Sequence, residues 1–136
     1  MTCKEYKNKS GKLHREDGPA VEWVNGGKLW DTFWYKHGKL HRLDGPAREW
    51  ADGRKEWWKN GQLHREDGPA VERPDGSKHW YKNDKLHRLD GPAVEYKKGS
   101  REWWVEGVQY IPFDVTKQPE VVVITGQTFI KVKRSY

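Results

Sequence analysis

Hydrophobic and polar positions recur along the chain with a fixed period and form no long apolar runs. Two adjacent aromatic residues precede a polar turn, which leads into leucine-histidine-arginine and then a short apolar stretch that ends in glutamate. The aromatic pairs begin at Trp34, Trp57, Trp80 and Trp103, each 23 residues after the one before. Short alternating segments predict β-strands. A period of this length is typical of a repeat protein.

The block after each turn, Leu-His-Arg-x-Asp-Gly-Pro-Ala-x-Glu, changes little from copy to copy. It begins at Leu13, Leu40, Leu63 and Leu86. The first two copies are 27 residues apart instead of 23, and the surplus lies around Gly26 to Asp31. Because surface loops tolerate added length, this surplus predicts one lengthened hairpin.

Turn-forming dipeptides separate the apolar segments and predict two tight turns in each period. One set is Asn25-Gly26, Asp52-Gly53, Asp75-Gly76 and Lys98-Gly99, and the other is His37-Gly38, Asn60-Gly61, Asn83-Asp84 and Glu106-Gly107. Each period is therefore expected to hold one short strand and one long strand kinked at Asp-Gly-Pro, where proline has no N–H to donate. Aromatic residues on both faces predict a sheet that is partly covered on its second face, or strongly twisted or curled.

The two ends of the array depart from the pattern. Residues 1 to 12 resemble a worn first strand, with Tyr6 interpreted as the counterpart of the second aromatic residue. Past Trp104 the pattern decays, since Gln109, Tyr110 and Phe113 replace leucine, histidine and aspartate. This decay is typical of a capping repeat. Residues 120 to 133 predict a hairpin that closes the end of the sheet, with Lys131, Lys133 and Arg134 adding positive charge.

These elements predict an all-β fold, an elongated, twisted or curled antiparallel meander of 23-residue β-hairpin repeats with a C-terminal capping hairpin. The length fits one domain, with about four and a half repeats in residues 1–110 and a capping segment and hairpin in residues 111–136. Hydrophobic residues make up 34% of the chain, yet it holds nine Trp and six Tyr. A thin aromatic core is therefore expected, with one ring of each pair buried.

The formal charge of +6 favours an anionic partner. The single cysteine, Cys3, forms no internal disulfide, and the longest apolar run, Val121-Val122-Val123-Ile124, is too short to span a bilayer. No segment near Met1 resembles a signal peptide. We therefore expect a soluble cytoplasmic protein, in the host cytoplasm if the source is viral, without transmembrane insertion.

The recurring histidines, His14, His41, His64 and His87, raise the question of a metal site. Zinc ligands lie about 2 Å from one ion. Equivalent residues of neighbouring repeats, two strands apart, are separated by about 10 Å. We therefore expect no metal and no cofactor. An enzyme needs one asymmetric group of reactive side chains, whereas every candidate here is repeated, so we predict a protein that is not an enzyme.

The charged residues of the block have two possible roles. Asp17, Asp44, Asp67 and Asp90 are expected to be structural and to accept hydrogen bonds from turn amides and from the arginine two positions earlier. The arginines could form a ladder of positive charge for a ligand, or could pack over neighbouring Trp rings. One aromatic residue of each pair is expected to be available for stacking. The predicted ligand-binding residues are Arg15, His41, Arg42, His64, Arg65, His87, Arg88, Trp34, Trp58, Trp80 and Trp104.

The segment Trp57-Trp58-Lys59-Asn60-Gly61-Gln62-Leu63-His64, followed by a strand ending at Asp75-Gly76, resembles the MORN repeat, a family of 23-residue β-hairpin units. The resemblance covers about residues 1–110. The chain departs from the family where His-Arg-x-Asp-Gly-Pro replaces His-Gly-x-Gly, and this variant resembles a block in small proteins of bacteriophages and large viruses. The resemblance implies a curled sheet that binds proteins or anionic lipid headgroups and performs no chemistry.

Three hypotheses follow. The first is a non-catalytic binding module whose Arg, His and Trp ladder grips an acidic protein, a nucleotide signal or a nucleic acid, and which inhibits a host defence system if the source is viral. The alternative is a scaffold for protein interaction or self-assembly, including a homo-oligomer. An enzyme ranks last, because it would need a unique cleft near Ile111 to Glu120.

Overall fold

The computed structural model describes residues 1–112 together with the backbone of residues 121–124 and 127–131. These residues form short β-strands joined by turns and loops, with no helix. The strands are β1 Thr2–Glu5, β2 Val21–Asn25, β3 Lys28–Phe33, β4 Tyr35–Lys36, β5 Lys39–Leu40, β6 Arg48–Glu49, β7 Lys55–Glu56, β8 Trp58–Lys59, β9 Gln62–Leu63, β10 Val71–Glu72, β11 Lys78–His79, β12 Tyr81–Lys82, β13 Lys85–Leu86, β14 Val94–Glu95, β15 Arg101–Val105, β16 Val108–Pro112, β17 Val121–Ile124 and β18 Gln127–Lys131.

Most strands belong to one antiparallel sheet. Its 12 strands lie in the order β1-β2-β3-β6-β7-β10-β11-β14-β15-β16-β18-β17, and β4-β5, β8-β9 and β12-β13 form separate two-stranded hairpins. We call the large assembly the main sheet and the three small hairpins, with the tip of β15-β16, the hairpin row. The predicted all-β antiparallel fold of hairpin repeats is confirmed.

Each full repeat contains four short strand segments, whereas the sequence predicted two. The aromatic strand breaks at its first ring: β7 lies in the main sheet, β8 lies in the hairpin row, and Trp57 lies between them. The Trp57 N–H donates to Ala70 O at 2.8 Å, and the Trp57 carbonyl accepts from His64 N at 3.1 Å. Residues 64 and 70 thus bracket a loop that leaves the sheet and returns beside the same tryptophan. Because both strands are interrupted at this level, the repeat has two parts instead of one continuous hairpin.

The turns of the hairpin row need positive φ angles at both central residues, as predicted. The angles are 49° and 78° at Asn60 and Gly61, and 48° and 64° at Asn83 and Asp84. Asp84 occupies a position that favours glycine. Its carboxylate accepts a hydrogen bond from Leu63 N at 2.7 Å, which ties the strained turn to the preceding hairpin.

The irregular spacing near the N-terminus produces the longer hairpin that was predicted. Strands β2 and β3 contain five and six residues, with a bulge between Glu22 and Val24. The turn lies at Gly26 and Gly27, where φ is 57° and 79°, one residue later than predicted.

Tyr6 is the counterpart of the first aromatic residue, so its assignment to the second was wrong. The Arg15 guanidinium lies 4.1 Å from the Tyr6 ring, as Arg42 lies 4.0 Å from Trp34. Seven positions separate Tyr6 from Leu13, and six separate Trp34 from Leu40. The extra residue lies in the first turn, so counting back six positions from Leu13 reaches Lys7 and not Tyr6.

The predicted C-terminal hairpin is confirmed in the described residues. Strands β17 and β18 pair with each other, and β18 pairs with β16, which extends the main sheet beyond the last repeat. Residues 113–120, 125–126 and 132–136 lie outside the described part. Phe113, Lys133, Arg134 and most of the segment proposed for a unique cleft are therefore not described.

The fully buried residues are small, not aromatic. Ala20, Ala47, Ala70 and Ala93 are 0% exposed, and Val94 is 1% exposed. Every Trp of the pairs is half-buried, so the prediction that one ring of each pair is buried was wrong. Each of these alanines accepts a backbone hydrogen bond at 2.7–2.8 Å from the first aromatic residue of the neighbouring strand, which places it directly against that strand.

Candidate functional site

Each of the four arginines of the repeated block stacks on an aromatic ring, which belongs to the first aromatic residue of its repeat. The guanidinium carbon lies 3.9–4.1 Å from the ring centroid, in the pairs Arg15-Tyr6, Arg42-Trp34, Arg65-Trp57 and Arg88-Trp80. This distance is well within the range of a cation–π contact. The packing role that the sequence left open for arginine is therefore present in all four repeats.

The same guanidinium groups are bonded to three partners each. Nε donates to the aspartate two positions later at 2.8–3.1 Å, in the pairs with Asp17, Asp44, Asp67 and Asp90. Nη1 donates to the proline carbonyl of the same loop at 3.0–3.3 Å. Nη1 also lies 3.0–3.3 Å from Glu22, Glu49, Glu72 or Glu95. We call each set of arginine, ring, aspartate, proline carbonyl and glutamate an arginine cluster.

The glycine of the loop is required by the arginine and not by its backbone angle. A Cβ atom on Gly18 would lie 2.8 Å from Arg15 Cζ, and one on Gly68 would lie 3.0 Å from Arg65 Cζ. Neither glycine has a positive φ. The guanidinium is thus held between an aromatic ring and a glycine.

These contacts shift the ionisation of the carboxylates. The hydrogen bond and charge of Arg42 lower the pKa of Asp44, and those of Arg88 lower the pKa of Asp90. Asp44 and Asp90 therefore stay charged to a lower pH than a free aspartate, each beside the arginine of its own loop.

The histidines join neighbouring repeats. Nδ1 of His14, His41, His64 and His87 accepts the backbone N–H of a turn residue in the following hairpin, at 3.0–3.2 Å. An accepting Nδ1 must be unprotonated. Nε2 of His14 and of His64 lies 2.9 and 2.8 Å from the glutamate two positions later, whereas His41 is followed at that position by Leu43. Burial, followed by Lys36, lowers the pKa of His41.

The clusters form the walls of three shallow grooves. The first groove, about 260 Å³, lies between the Arg15 and Arg42 loops, the second, about 660 Å³, between the Arg42 and Arg65 loops, and the third, about 560 Å³, between the Arg65 and Arg88 loops. Their floors are Trp34, Trp57 and Trp80, and a lysine lines each one, Lys36, Lys59 or Lys82.

Charges in the grooves are nearly balanced. The second groove contains Arg42, Lys59 and Arg65 opposite Asp44, Glu66 and Asp67. The third groove contains Arg65, Lys82 and Arg88 opposite Glu66, Asp67 and Asp90. Leu43, on the wall of the second groove, is 77% exposed. The grooves therefore offer aromatic and aliphatic surface between paired charges, and not a band of uncompensated positive charge.

The predicted ligand-binding residues divide between two faces. Trp34 and Trp80 lie at the grooves with the predicted arginines and histidines. Trp58 and Trp104 donate from Nε1 to Glu56 and Glu102, at 2.9 and 2.8 Å, on the other side of the strand. We call the side with the grooves the loop face and the other the back face. The structure does not bring all four tryptophans together.

The back face carries one further ionic cluster. Glu56 is 4% exposed and accepts hydrogen bonds from Arg54 and Trp58, while Arg48 lies 3.6 Å away. The Arg48 guanidinium is 5.2 Å from the Trp50 ring. A buried carboxylate needs such partners, and we assign this cluster to holding the bend between β7 and β8.

Sequence reasoning missed Trp57 and the glutamates. The 23-residue spacing from Trp34 and Trp80 would have placed Trp57 in the groove set. A glutamate seven positions after each arginine was visible in the repeat, but its bond to Nη1 depends on the path of the loop. Lys36, Lys59 and Lys82 also repeat with this spacing and were not selected.

Among the residues that the structure describes, no group of three or more His, Cys, Asp or Glu side chains is arranged to hold a metal ion. The described part of the chain also has no helix with the length and apolar character needed to cross a membrane. No protein-family model, curated protein or solved structure matches the chain.

Proposed function

We propose that the chain is a non-catalytic repeat module that binds an extended polypeptide partner along the grooves of its loop face. The observation that carries this proposal is the set of three repeated grooves, each with a tryptophan floor and walls that carry charges of both signs. Aromatic and aliphatic surface framed by polar groups is the usual composition of a protein-binding surface. The MORN-type resemblance is part of the same proposal and agrees with the paired hairpins of each repeat.

The bonding of the arginines supports a polypeptide over a polyanion. In each cluster Nε and Nη1 are already engaged, and the arginine side chains are only 20–27% exposed. An anion approaching Nη2 would also meet the aspartate, whose side chain is 83–88% exposed. The anion and the aspartate carry the same sign of charge and would repel each other. A partner of mixed charge avoids that repulsion.

The contacts of the histidines and arginines also support a binding role over an enzymatic one. In each repeat the histidine Nδ1 and the arginine Nε and Nη1 are held by equivalent internal partners. Catalysis would require one such residue to be free and oriented toward a substrate. Leu43 adds exposed apolar surface to the second groove, which suits binding more than catalysis.

A library of random 12-residue peptides, panned on the immobilised protein, tests the proposal. We expect enriched peptides whose affinity falls about fivefold in a Leu43→Ser variant, the loss of a contact worth roughly 1 kcal/mol. The matched control is Leu29→Ser, because Leu29 is also exposed, at 57%, but lies on the long hairpin away from the grooves. No enrichment, or equal loss in both variants, would contradict the proposal.

A further inference from the structure

The spacing of the grooves selects a backbone conformation for the partner. Successive grooves are two main-sheet strands apart, which corresponds to about 9.6 Å at the usual strand spacing. A polyproline II helix has three residues per turn and a rise of 3.1 Å, so side chains on one side recur about every 9.3 Å. An extended strand repeats one side about every 6.6 Å, and an α-helix has a pitch of about 5.4 Å. Two turns of an α-helix span about 10.8 Å, so the polyproline II repeat is the closest of these spacings to that of the grooves.

The groove floors also carry hydrogen-bond donors that the fold leaves unused. Trp58 and Trp104 donate from Nε1 to glutamates on the back face. Within the described residues, the Nε1–H groups of Trp34, Trp57 and Trp80 make no hydrogen bond. Indole N–H is a donor only, and it gains from a carbonyl partner when it is covered. The polyproline II backbone has no internal hydrogen bonds, so its carbonyls are free to accept.

We propose that the loop face binds a proline-rich segment of a partner protein in the polyproline II conformation. Residues i, i+3 and i+6 of that segment enter the first, second and third grooves and pack on Trp34, Trp57 and Trp80. The indole N–H groups donate to carbonyls of the segment. Proline-rich peptides bind aromatic-lined grooves in this way because their conformation is already formed before binding. This inference rests on the proposed function and specifies its partner.

Titration with N-acetylated, C-amidated oligoprolines of three, six, nine and twelve residues tests the inference. Nuclear magnetic resonance of the nitrogen-15-labelled protein should show changes in the chemical shifts of the indole N–H signals of Trp34, Trp57 and Trp80. The signals of Trp58 and Trp104 are internal controls and should not move. Because one groove corresponds to about three residues, affinity should rise up to nine residues and then level off. A glycine-serine peptide of nine residues should bind at least tenfold more weakly, since its ordering costs more entropy.

A conservative variant separates the hydrogen bond from the ring. Trp57→Phe keeps an aromatic floor beneath Arg65 and removes the indole N–H, so the fold should survive while oligoproline affinity falls about fivefold. Trp30→Phe is the matched control, because Trp30 is 45% exposed on the long hairpin and lines none of the three grooves, and it should leave the affinity unchanged.

The possible outcomes separate this inference from the proposed function. Panned peptides that bind the loop face, with no indole movement on adding oligoproline, would overturn the inference and leave the function intact. Movement of Trp58 or Trp104 in place of the groove tryptophans would also overturn it. Failure of both the library and the oligoprolines would remove the function itself.

Discussion

The four arginine clusters and the last hairpin, β15-β16, fill the space beside the first aromatic ring with different kinds of side chain. In the clusters, a guanidinium fills the space between a ring and a loop and is bonded on several sides. In the last hairpin, Tyr110 and Ile111 stand where histidine and arginine would be. There Val105 and Tyr110 are buried, with Leu89 and Trp103 packed against them.

This difference explains why the internal copies vary so little while the end varies. A guanidinium held by two carboxylates, a carbonyl, a ring and a glycine depends on every partner, because removing one leaves the others unsatisfied. An apolar contact depends mainly on volume, and many side chains supply it. The last hairpin has no following repeat to join, so it does not need the network.

The largest effect should come from breaking one cluster. We expect Arg65→Ala to lower the free energy of unfolding by about 2–3 kcal/mol, because it removes the ring contact and leaves Glu72 without its main partner. Urea unfolding followed by tryptophan fluorescence measures this change.

The matched control is Ile111→Ala at the corresponding position of the last hairpin, where the side chain is 48% exposed. We expect this change to cost less than about 1 kcal/mol. If the two substitutions had equal effects, the clusters would be no more cooperative than an ordinary apolar contact.

Much of this architecture follows from local sequence rules. Asn60-Gly61 and its counterparts predict their turns because both central residues need positive φ. The pairing of Arg65 with Asp67 was predictable because the two residues are close in the chain. The additional residues around Gly26 predicted the long hairpin, because they lie within one short segment of the chain.

What the sequence did not predict depends on the path of the chain in space. Glu72 reaches Arg65 only because the loop between them doubles back onto Trp57. Tyr6 was misplaced because the first turn has one additional residue, which a fixed spacing cannot reveal. The histidine contacts with the next turn were also hidden, because His41 and Asn60 are 19 positions apart.

A smaller effect should come from acid, and it should act on the turns of the hairpin row, each bonded to a histidine of the preceding repeat, and not on the turns of the main sheet. His41 accepts the Asn60 N–H at Nδ1, and the charged groups affecting it are Lys36 and Lys59. Its pKa is lowered in the folded protein, mainly by burial and to a smaller extent by the charge of Lys36. As the pH falls below about 6.5, the unfolded chain therefore binds this proton first, and stability is lost until the pH passes the lower folded pKa.

Hydrogen exchange at the Asn60 amide, measured at pH 7.5 and pH 5.5 after correction for the intrinsic pH dependence, tests this. Protection should decrease in acid at Asn60 and hold at Gly53, because the Gly53 N–H donates to Trp50 O at 3.0 Å in a main-sheet turn and not to a histidine. His79, whose pKa is also lowered by burial, acts in the same direction on overall stability. A His41→Gln variant separates the two, because it should show a flatter decline of stability with acid. An unchanged slope in that variant would assign the acid effect elsewhere.

The smallest effect should come from placing an arginine where the network is absent. Ile111→Arg places an arginine where the repeats have one. In the repeats the arginine is followed by a variable residue, an aspartate and a glycine, whereas position 111 is followed by Pro112, Phe113 and Asp114. The added guanidinium therefore lacks the aspartate two positions later and the glycine against which it would pack. We expect the free energy of unfolding to change by less than about 0.5 kcal/mol, as for an ordinary exposed substitution. Stabilisation of more than about 1 kcal/mol, measured by the same urea titration, would show that arginine and ring suffice without the other partners. The near absence of an effect would instead place the stability of each repeat in the complete cluster, which is the property that separates the array from its end.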